Sequence, residues 1–290
     1  YEAIFNPDKV EFRRRDRGIT TLTEITVSPE EDVEVRRVTV TNLSQRRREL
    51  EVTSFPEIAL ANRRADGAHP AFSKMFIESE YLEDYEALIL RRKPRTEHDS
   101  ELYLMHLSVT PVVWAPVQFE TSRDRFIGRG GSLRMPAALG MGSKLSGSVG
   151  TVLDPIVSIR QRMELEIGES HTLSFVTGVA RSRDDVIDLV KKYREGARIT
   201  RAFEMAWSHS HVAIRHQQFS LSSIQDFQRL ANAIVCNFEH LRAPSEVIKR
   251  CKLPQSALWR FGISGDEAIV LVVISDPEQL KFAQELLLAH

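Results

Sequence analysis

The segment Leu258-Trp259-Arg260-Phe261-Gly262-Ile263-Ser264-Gly265-Asp266 gathers the residue types that a sugar site uses. An indole face can stack on a pyranose ring, while Arg and Asp donate to and accept from its hydroxyls. Trp259, Arg260 and Asp266 are therefore candidate substrate-binding residues. The same nine residues, with two glycines, a Ser and an Asp, also describe a capped, packed turn.

Seven of the fourteen glycines fall between Gly128 and Gly150. A loop of this length inside a compact domain is usually functional or disordered. Gly128-Arg129-Gly130-Gly131 could offer backbone N–H groups to a phosphate, but neither a Gly-Lys-Ser/Thr ending nor a preceding βα unit accompanies it. The stretch, with Arg125 and Arg129 at its start, is read instead as a loop toward a partner domain or subunit. His209, His211 and His216 stand 2 and 5 residues apart, which does not set all three on one helical face, so no metal centre is expected. The paired carboxylates Glu30 and Glu31, Glu83 and Asp84, and Asp184 and Asp185 read as solvated turns or helix starts, and no catalytic residue is assigned within the chain.

These groups must be positioned by two halves of different period. Up to about residue 180 the apolar spacing is two, as in half-buried strands. Val157, Ile159, Met163, Leu165 and Ile167 alternate with Ser158, Arg160, Arg162, Glu164 and Glu166, predicting one face in a core and the other in water. Further strands are expected at 19–27, 33–41, 50–54, 86–91, 102–109 and 171–177, together an antiparallel sandwich. The stretch 41–48 reads as a hairpin turn, and the change of apolar parity from Val33 and Val35 to Val38 and Val40 as a β-bulge near Arg36 and Arg37.

After Arg181 the period is that of a helix. Ser182 can cap a helix carrying Val186, Leu189, Val190 and Tyr193. A second stretch carries Ile199, Ala202, Phe203, Ala206 and Trp207, and a third begins at a Ser222-x-x-Gln225 capping box and runs through Ile224, Phe227, Ala231, Ile234, Phe238 and Leu241. The β-branched run 267–274 predicts a buried strand, followed by a helix with Asp276 as cap and Pro277 in its first turn.

The 290 residues are 42% apolar and 27% charged, with 39 basic against 40 acidic side chains. That excludes a disordered chain and leaves no global field for nucleic acid. No apolar run approaches the length of a membrane span, and Cys236 and Cys251 form no C-x-x-C pair, so a cytoplasmic location is expected. Tyr1 opens the chain without an initiator Met, and helix-like sequence runs up to His290; a longer polypeptide is the expectation.

Several segments, in order, carry a resemblance: Glu11 to Asp16, Thr23 to Pro29, Arg36 to Asn42, Leu50 to Ser54, Arg125 to Gly130, Leu153 to Ile156, Thr177 to Ala180 and Gly262 to Asp266. The series resembles the N-terminal region of the inverting glycoside phosphorylases of glycoside hydrolase family 94, formerly glycosyltransferase family 36, and within it the phosphorylase region of cyclic β-1,2-glucan synthases. Two places depart from the family's pattern: Glu267 and Ala268 follow the Gly-Ile-Ser-Gly-Asp turn where an apolar residue and Pro are usual, and Arg260 stands where a small residue is common.

The resemblance implies a mainly β fold, an antiparallel, galactose-mutarotase-like β-supersandwich over 1–205, a helical linker over 206–255, and the beginning of an α/α six-hairpin barrel over 256–290. It also implies inorganic phosphate as co-substrate of the parent, without another cofactor, and β-glucan oligosaccharide as partner. The catalytic barrel would follow on the same polypeptide, with a homodimer as a further expectation and inner-membrane tethering by other segments. The chain alone is expected to lack the catalytic acid. Two other classes compete. A free-standing carbohydrate-binding module needs an aromatic platform, against which only three Trp and five Tyr are available. An aldose-epimerase-like enzyme needs a His and Glu pair at the sheet centre, where His106 is the one placed candidate and a core histidine the competing reading.

Overall fold

The computed structural model describes residues 1–61, 63–94, 101–216, 219, 221–235, 242–266, 269–277 and 279–289. They form strands β1 (Glu2–Phe5), β2 (Val10–Asp16), β3 (Ile19–Val27), β4 (Val33–Asn42) and β5 (Arg48–Thr53), then short helices α1 (Arg63–Ala68) and α2 (Pro70–Lys74). Strands β6 (Ile77–Leu82), β7 (Ala87–Arg92), β8 (Leu102–Val109) and β9 (Gln118–Ser122), helix α3 (Arg123–Ile127), and strands β10 (Gly150–Thr151), β11 (Pro155–Leu165) and β12 (Ser170–Ala180) follow. Helices α4 (Arg183–Arg194), α5 (Gly196–His216), α6 (Leu221–Val235), α7 (Ser245–Arg250) and α8 (Gln279–Ala289) come after them among the described residues. It divides into two compact units, 1–210 and 211–290.

The first unit is layered. A nine-stranded antiparallel sheet runs β1-β2-β3-β4-β12-β8-β7-β6-β10, and a three-stranded sheet runs β5-β11-β9. On one face of the large sheet, Val33, Val35, Ile89, Met105, Leu107 and Val176 pack under Val186, Leu189, Val190 and Tyr193 of α4 and Ile199 and Phe203 of α5. On the other face, Val40, Leu88, Leu90, Leu104 and Leu173 meet Val157, Ile159, Met163 and Leu165 of β11. Helix α4 begins as expected: Ser182 Oγ accepts the Asp185 N–H at 3.1 Å.

Strand β4 corrects the expected bulge. It pairs in unbroken register with β3 and β12 through Arg36 and Arg37. The parity changes because the strand serves two cores: Val33 and Val35 face the helices, and Val38 and Val40 face the small sheet. The stretch 41–48 is likewise not a hairpin, since β4 and β5 lie in different sheets and the turn carries the chain from one to the other. Asn42 holds this crossing. Its fully buried amide Nδ2 donates to the carbonyls of Arg46, Leu165 and Glu166 at 2.8, 3.1 and 3.1 Å, and its Oδ1 accepts from Ser44 N–H and Oγ.

Strand β11 also departs from the expectation. Its second face is not all in water, because Ser158 and Arg160 are buried. Arg160 lies under the glycine-rich segment, donating to the carbonyl oxygens of Ala138 and Ser143. Gln161, which interrupts the apolar row, is buried with its amide donating to Ser108 Oγ at 2.7 Å. Ile167 lies beyond the strand and is exposed.

In the second unit, α6 and α8 pack through Phe227 and Phe282, whose ring centroids are 5.5 Å apart, and through a hydrogen bond from Ser223 to Glu285. Helix α6 opens at Leu221, which puts Ser222 in its first turn and not at the N-cap; Phe238 and Leu241 lie outside the described residues. The expected strand at 267–274 is not formed over its described part. Residues 269–274 are irregular and exposed, and no described strand of this unit offers them the backbone partners an extended segment needs. Helix α8 is present from Gln279, whose side-chain oxygen accepts the N–H groups of Ser275 and Asp276.

Candidate functional site

Trp259, Arg260 and Asp266 sit around a 3-10 turn, Gln255–Phe261, that closes on Gly262 with φ +74°. Gln255 Nε2 donates to Ser264 O and to Asp266 Oδ1, both at 2.9 Å, and Trp259 Nε1 donates to Ser264 O at 3.3 Å. Gly265 also has φ +74°, where a side chain would be strained, and a Cβ there would press on Leu258 Cδ1 at 2.9 Å. The turn thus fixes an exposed indole beside an exposed carboxylate, an arrangement able to stack on a sugar ring and accept from its hydroxyls. Arg260 does not join them: its guanidinium lies over the Phe261 ring, 4.7 Å from the centroid. Glu267 and Ala268 lie outside the described residues.

The glycine-rich segment is built onto the small sheet by two buried charges. Glu120 of β9 accepts from Ser146 N–H and Oγ at 3.2 and 2.6 Å, from Ser148 Oγ, and from the N–H groups of Thr121 and Ser122. Burial alone would raise this carboxyl, but the hydrogen bonds from Ser146, Ser148 and Ser122 outweigh it and hold the pKa below the ordinary value. Arg160, 2% exposed, supplies the second anchor and also contacts Thr53 Oγ1 at 3.1 Å and Glu51 at 3.4 Å. Beneath the segment, Phe126, Ile127, Ala138, Leu145 and Ile156 form a small core of their own. Arg125 ties the ends of the segment together through Ser146 Oγ at 3.2 Å, whereas Arg129 points into solvent. Arg160 was read as part of the wet face of its alternating strand, and Glu120 was not singled out because no strand was expected over Gln118–Ser122; the neighbouring run of glycines was the available signal.

His106 is a core residue. Its Nε2 lies 2.8 Å from Ser54 Oγ and its Nδ1 2.9 Å from Thr177 Oγ1, so both nitrogens are occupied by hydroxyls and, among the described residues, no carboxylate touches the ring. Burial, with a smaller effect from the Arg36 charge, pushes its pKa down to about 3. Among the described residues no three His, Cys, Asp or Glu side chains converge as metal ligands, and Cys251 is exposed; Cys236 lies outside them. An open groove of about 300 Å³ runs between Asn6–Val10 and the His209–Ser210 end of the first unit, but its one ammonium, Lys9, is taken by Glu11 and Glu24 at 2.8 and 2.7 Å. No helix of the described residues is long and apolar enough to cross a membrane.

Residues 1–196, essentially the layered unit, match the glycosyl hydrolase 94 supersandwich domain. The chain belongs to the glycosyl hydrolase 94 family. Among curated proteins, this family 94 chain is 36% identical over 288 residues to the cyclic beta-(1,2)-glucan synthase NdvB of Rhizobium meliloti (strain 1021), a match covering 99% of the chain and 10% of that protein. It therefore spans about a tenth of the length of the relative it matches. Among solved structures, a protein described as a kojibiose phosphorylase from the human microbiome aligns with TM-score 0.40 and 6% identity over 70% of this chain and 23% of that one. A polysaccharide lyase aligns with TM-score 0.36 and 15% identity over 61% and 22%. At these values neither likeness bears on function.

Proposed function

We propose that the chain is the supersandwich part, with the first helices that follow, of a β-glucan phosphorylase or cyclic β-1,2-glucan synthase acting in the cytoplasm. Its domains extend over 1–205, 206–255 and 256–290, and the catalytic acid lies on another part of the polypeptide. The parent transfers glucosyl units between β-glucan and inorganic phosphate with inversion. One carboxylic acid suffices for that reaction, because phosphate is already anionic and needs no general base to act as nucleophile. The observation that carries this reading is the 36% identity over nearly the whole chain to a cyclic β-1,2-glucan synthase.

In this reading the glycine-rich segment, with Arg125 and Arg129, meets a partner domain or subunit, and the turn bearing Trp259, Arg260 and Asp266 forms part of a substrate wall. The test is to incubate the 290-residue chain, and separately its longer parent, with β-1,2- and β-1,4-gluco-oligosaccharides plus phosphate, and to assay glucose 1-phosphate. Product from the parent alone is the expected result. A positioned acid commonly contributes about 10² to 10⁴ in rate, so a chain lacking it should be silent. Turnover by the 290 residues alone would overturn the division of labour, and silence from both proteins would overturn the activity.

A further inference from the structure

Four connections leave the strands side by side at one end of the sandwich. Asp16 pairs with Ile19, Ile19 also lies opposite Asn42, Thr41 opposite Ser170 and Ser174 opposite Val109, which gathers the loops 17–18, 43–47, 166–169 and 110–117. Leu43 N–H donates to Gly18 O at 2.7 Å, Gly168 N–H donates to Asn42 O at 2.8 Å, and the Trp114 indole meets the His171 ring edge-on with centroids 4.6 Å apart. On these loops Leu43, Val112, Val113 and Ile167 are exposed, Val113 by 66% and Ile167 by 62%, while Trp114 packs partly buried against the core between the sheets. Arg15, Arg17 and Arg46 are exposed at the same end and take no carboxylate among the described residues. The acids of this end are already held: Asp16 by Arg14 at 3.1 Å, Glu164 and Glu166 by Arg47, and Glu169 by His171 at 3.0 Å.

Aliphatic side chains on loop tips, flanked by free guanidinium groups and backed by an indole, match the layered chemistry of a bilayer surface. The tips can enter the acyl boundary, Trp suits the headgroup depth, and each cation near an anionic leaflet contributes about fivefold in partition. A free phosphate ion would engage the arginines and leave the apolar tips in water. The four aliphatic groups stand on three separate loops, which a fluid headgroup layer accepts singly, whereas a protein interface packs a continuous apolar core. With a net charge of −1 the chain has no general attraction to an anionic surface, so any such binding must come from a local patch.

We infer that this end of the sandwich docks on an anionic phospholipid surface, with Arg15, Arg17 and Arg46 on lipid phosphates and Leu43, Ile167 and the Val112-Val113 tip in the headgroup layer. The test is flotation of the 290-residue chain with vesicles of phosphatidylcholine alone and with about 40% phosphatidylglycerol. Binding is expected to the anionic vesicles only, and to be largely lost in about 1 M salt, where the Debye length is about 3 Å. Arg17→Glu/Arg46→Glu should weaken it by about twentyfold or more, and Leu43→Ser/Ile167→Ser, at unchanged charge, by about fivefold or more. Arg129→Glu/Arg134→Glu makes the same change of net charge on the glycine-rich segment and should stay within about threefold of the parent chain. Inorganic phosphate at about 10 mM and constant ionic strength should leave binding unchanged. Circular dichroism confirms that each variant is folded. Failure to bind anionic vesicles, an equal loss in the Arg129/Arg134 variant, indifference to the Leu43/Ile167 change, or displacement by inorganic phosphate would each overturn the proposal. None of these outcomes touches the glucose 1-phosphate assay, so the two readings fail separately.

Discussion

His106 Nε2 lies 2.8 Å from Ser54 Oγ, and this contact joins β8 of the large sheet to the end of β5 in the small one. The imidazole is held neutral, with a pKa of about 3 against an ordinary 6.5. Because the folded value is the lower one, protonation favours the unfolded chain. The group's contribution is complete above pH 6.5 and is lost as pH falls toward 3, at up to roughly 1.4 kcal/mol per pH unit. Denaturant titrations between pH 6.5 and 5 should show this slope, and His106→Gln should flatten it. An unchanged slope in the variant would assign the titration elsewhere.

Asn42→Ala should cost about 3 kcal/mol, because the carbonyls of Arg46, Leu165 and Glu166 lose their shared donor in a buried crossing. Leu43→Ala, one residue on and half exposed, should change stability by less than about 0.5 kcal/mol. Urea midpoints of the two variants compare them directly; equal midpoints would count against Asn42 as the anchor.

Arg160→Met keeps much of the side-chain volume but removes the donors to Ala138 and Ser143. It should destabilise by about 2 to 3 kcal/mol and open the segment 128–150 to proteolysis ahead of global unfolding. Arg162→Met, on the exposed pair with Glu49, should stay within about 0.5 kcal/mol. Mass spectrometry of early cleavage products identifies where each variant is cut.

Amide exchange should be slowest in β11, which is paired on both sides and largely buried, and faster from Leu221 onward, where α6 and α8 leave much of their surface open. Exchange followed by peptide mapping tests this, and uniform protection across both units would contradict it.

Where neighbouring residues decide a structure, it was readable in advance. Strands 19–27 and 102–109 appear with the expected ends, and Ser182 caps α4 as its spacing implies. Distant layers were not readable in this way. The short strand Glu2–Phe5 and the acid-rich β6 carry too little apolar alternation to announce themselves. The parity change in β4 has two physical sources, a bulge or a second core, and only the packing on both faces separates them. In the candidate site, Trp259 donates to Ser264 O, and Gln255 bridges that same carbonyl to Asp266, a tight turn of the kind the two glycines, Ser and Asp describe; the turning of Arg260 onto Phe261 depends on local geometry that spacing does not encode.

Strand β4 contributes Val33 and Val35 to one hydrophobic cluster and Val40 to the other, and β12 and β8 divide their residues in the same way. The large sheet is thus a party wall between two interiors. Ordering these strands against α4 and α5 also presents the surface on which β11 condenses, and the converse holds. Damage to either interior is transmitted through the shared strands, so the helical cover and the small sheet should melt as one cooperative body.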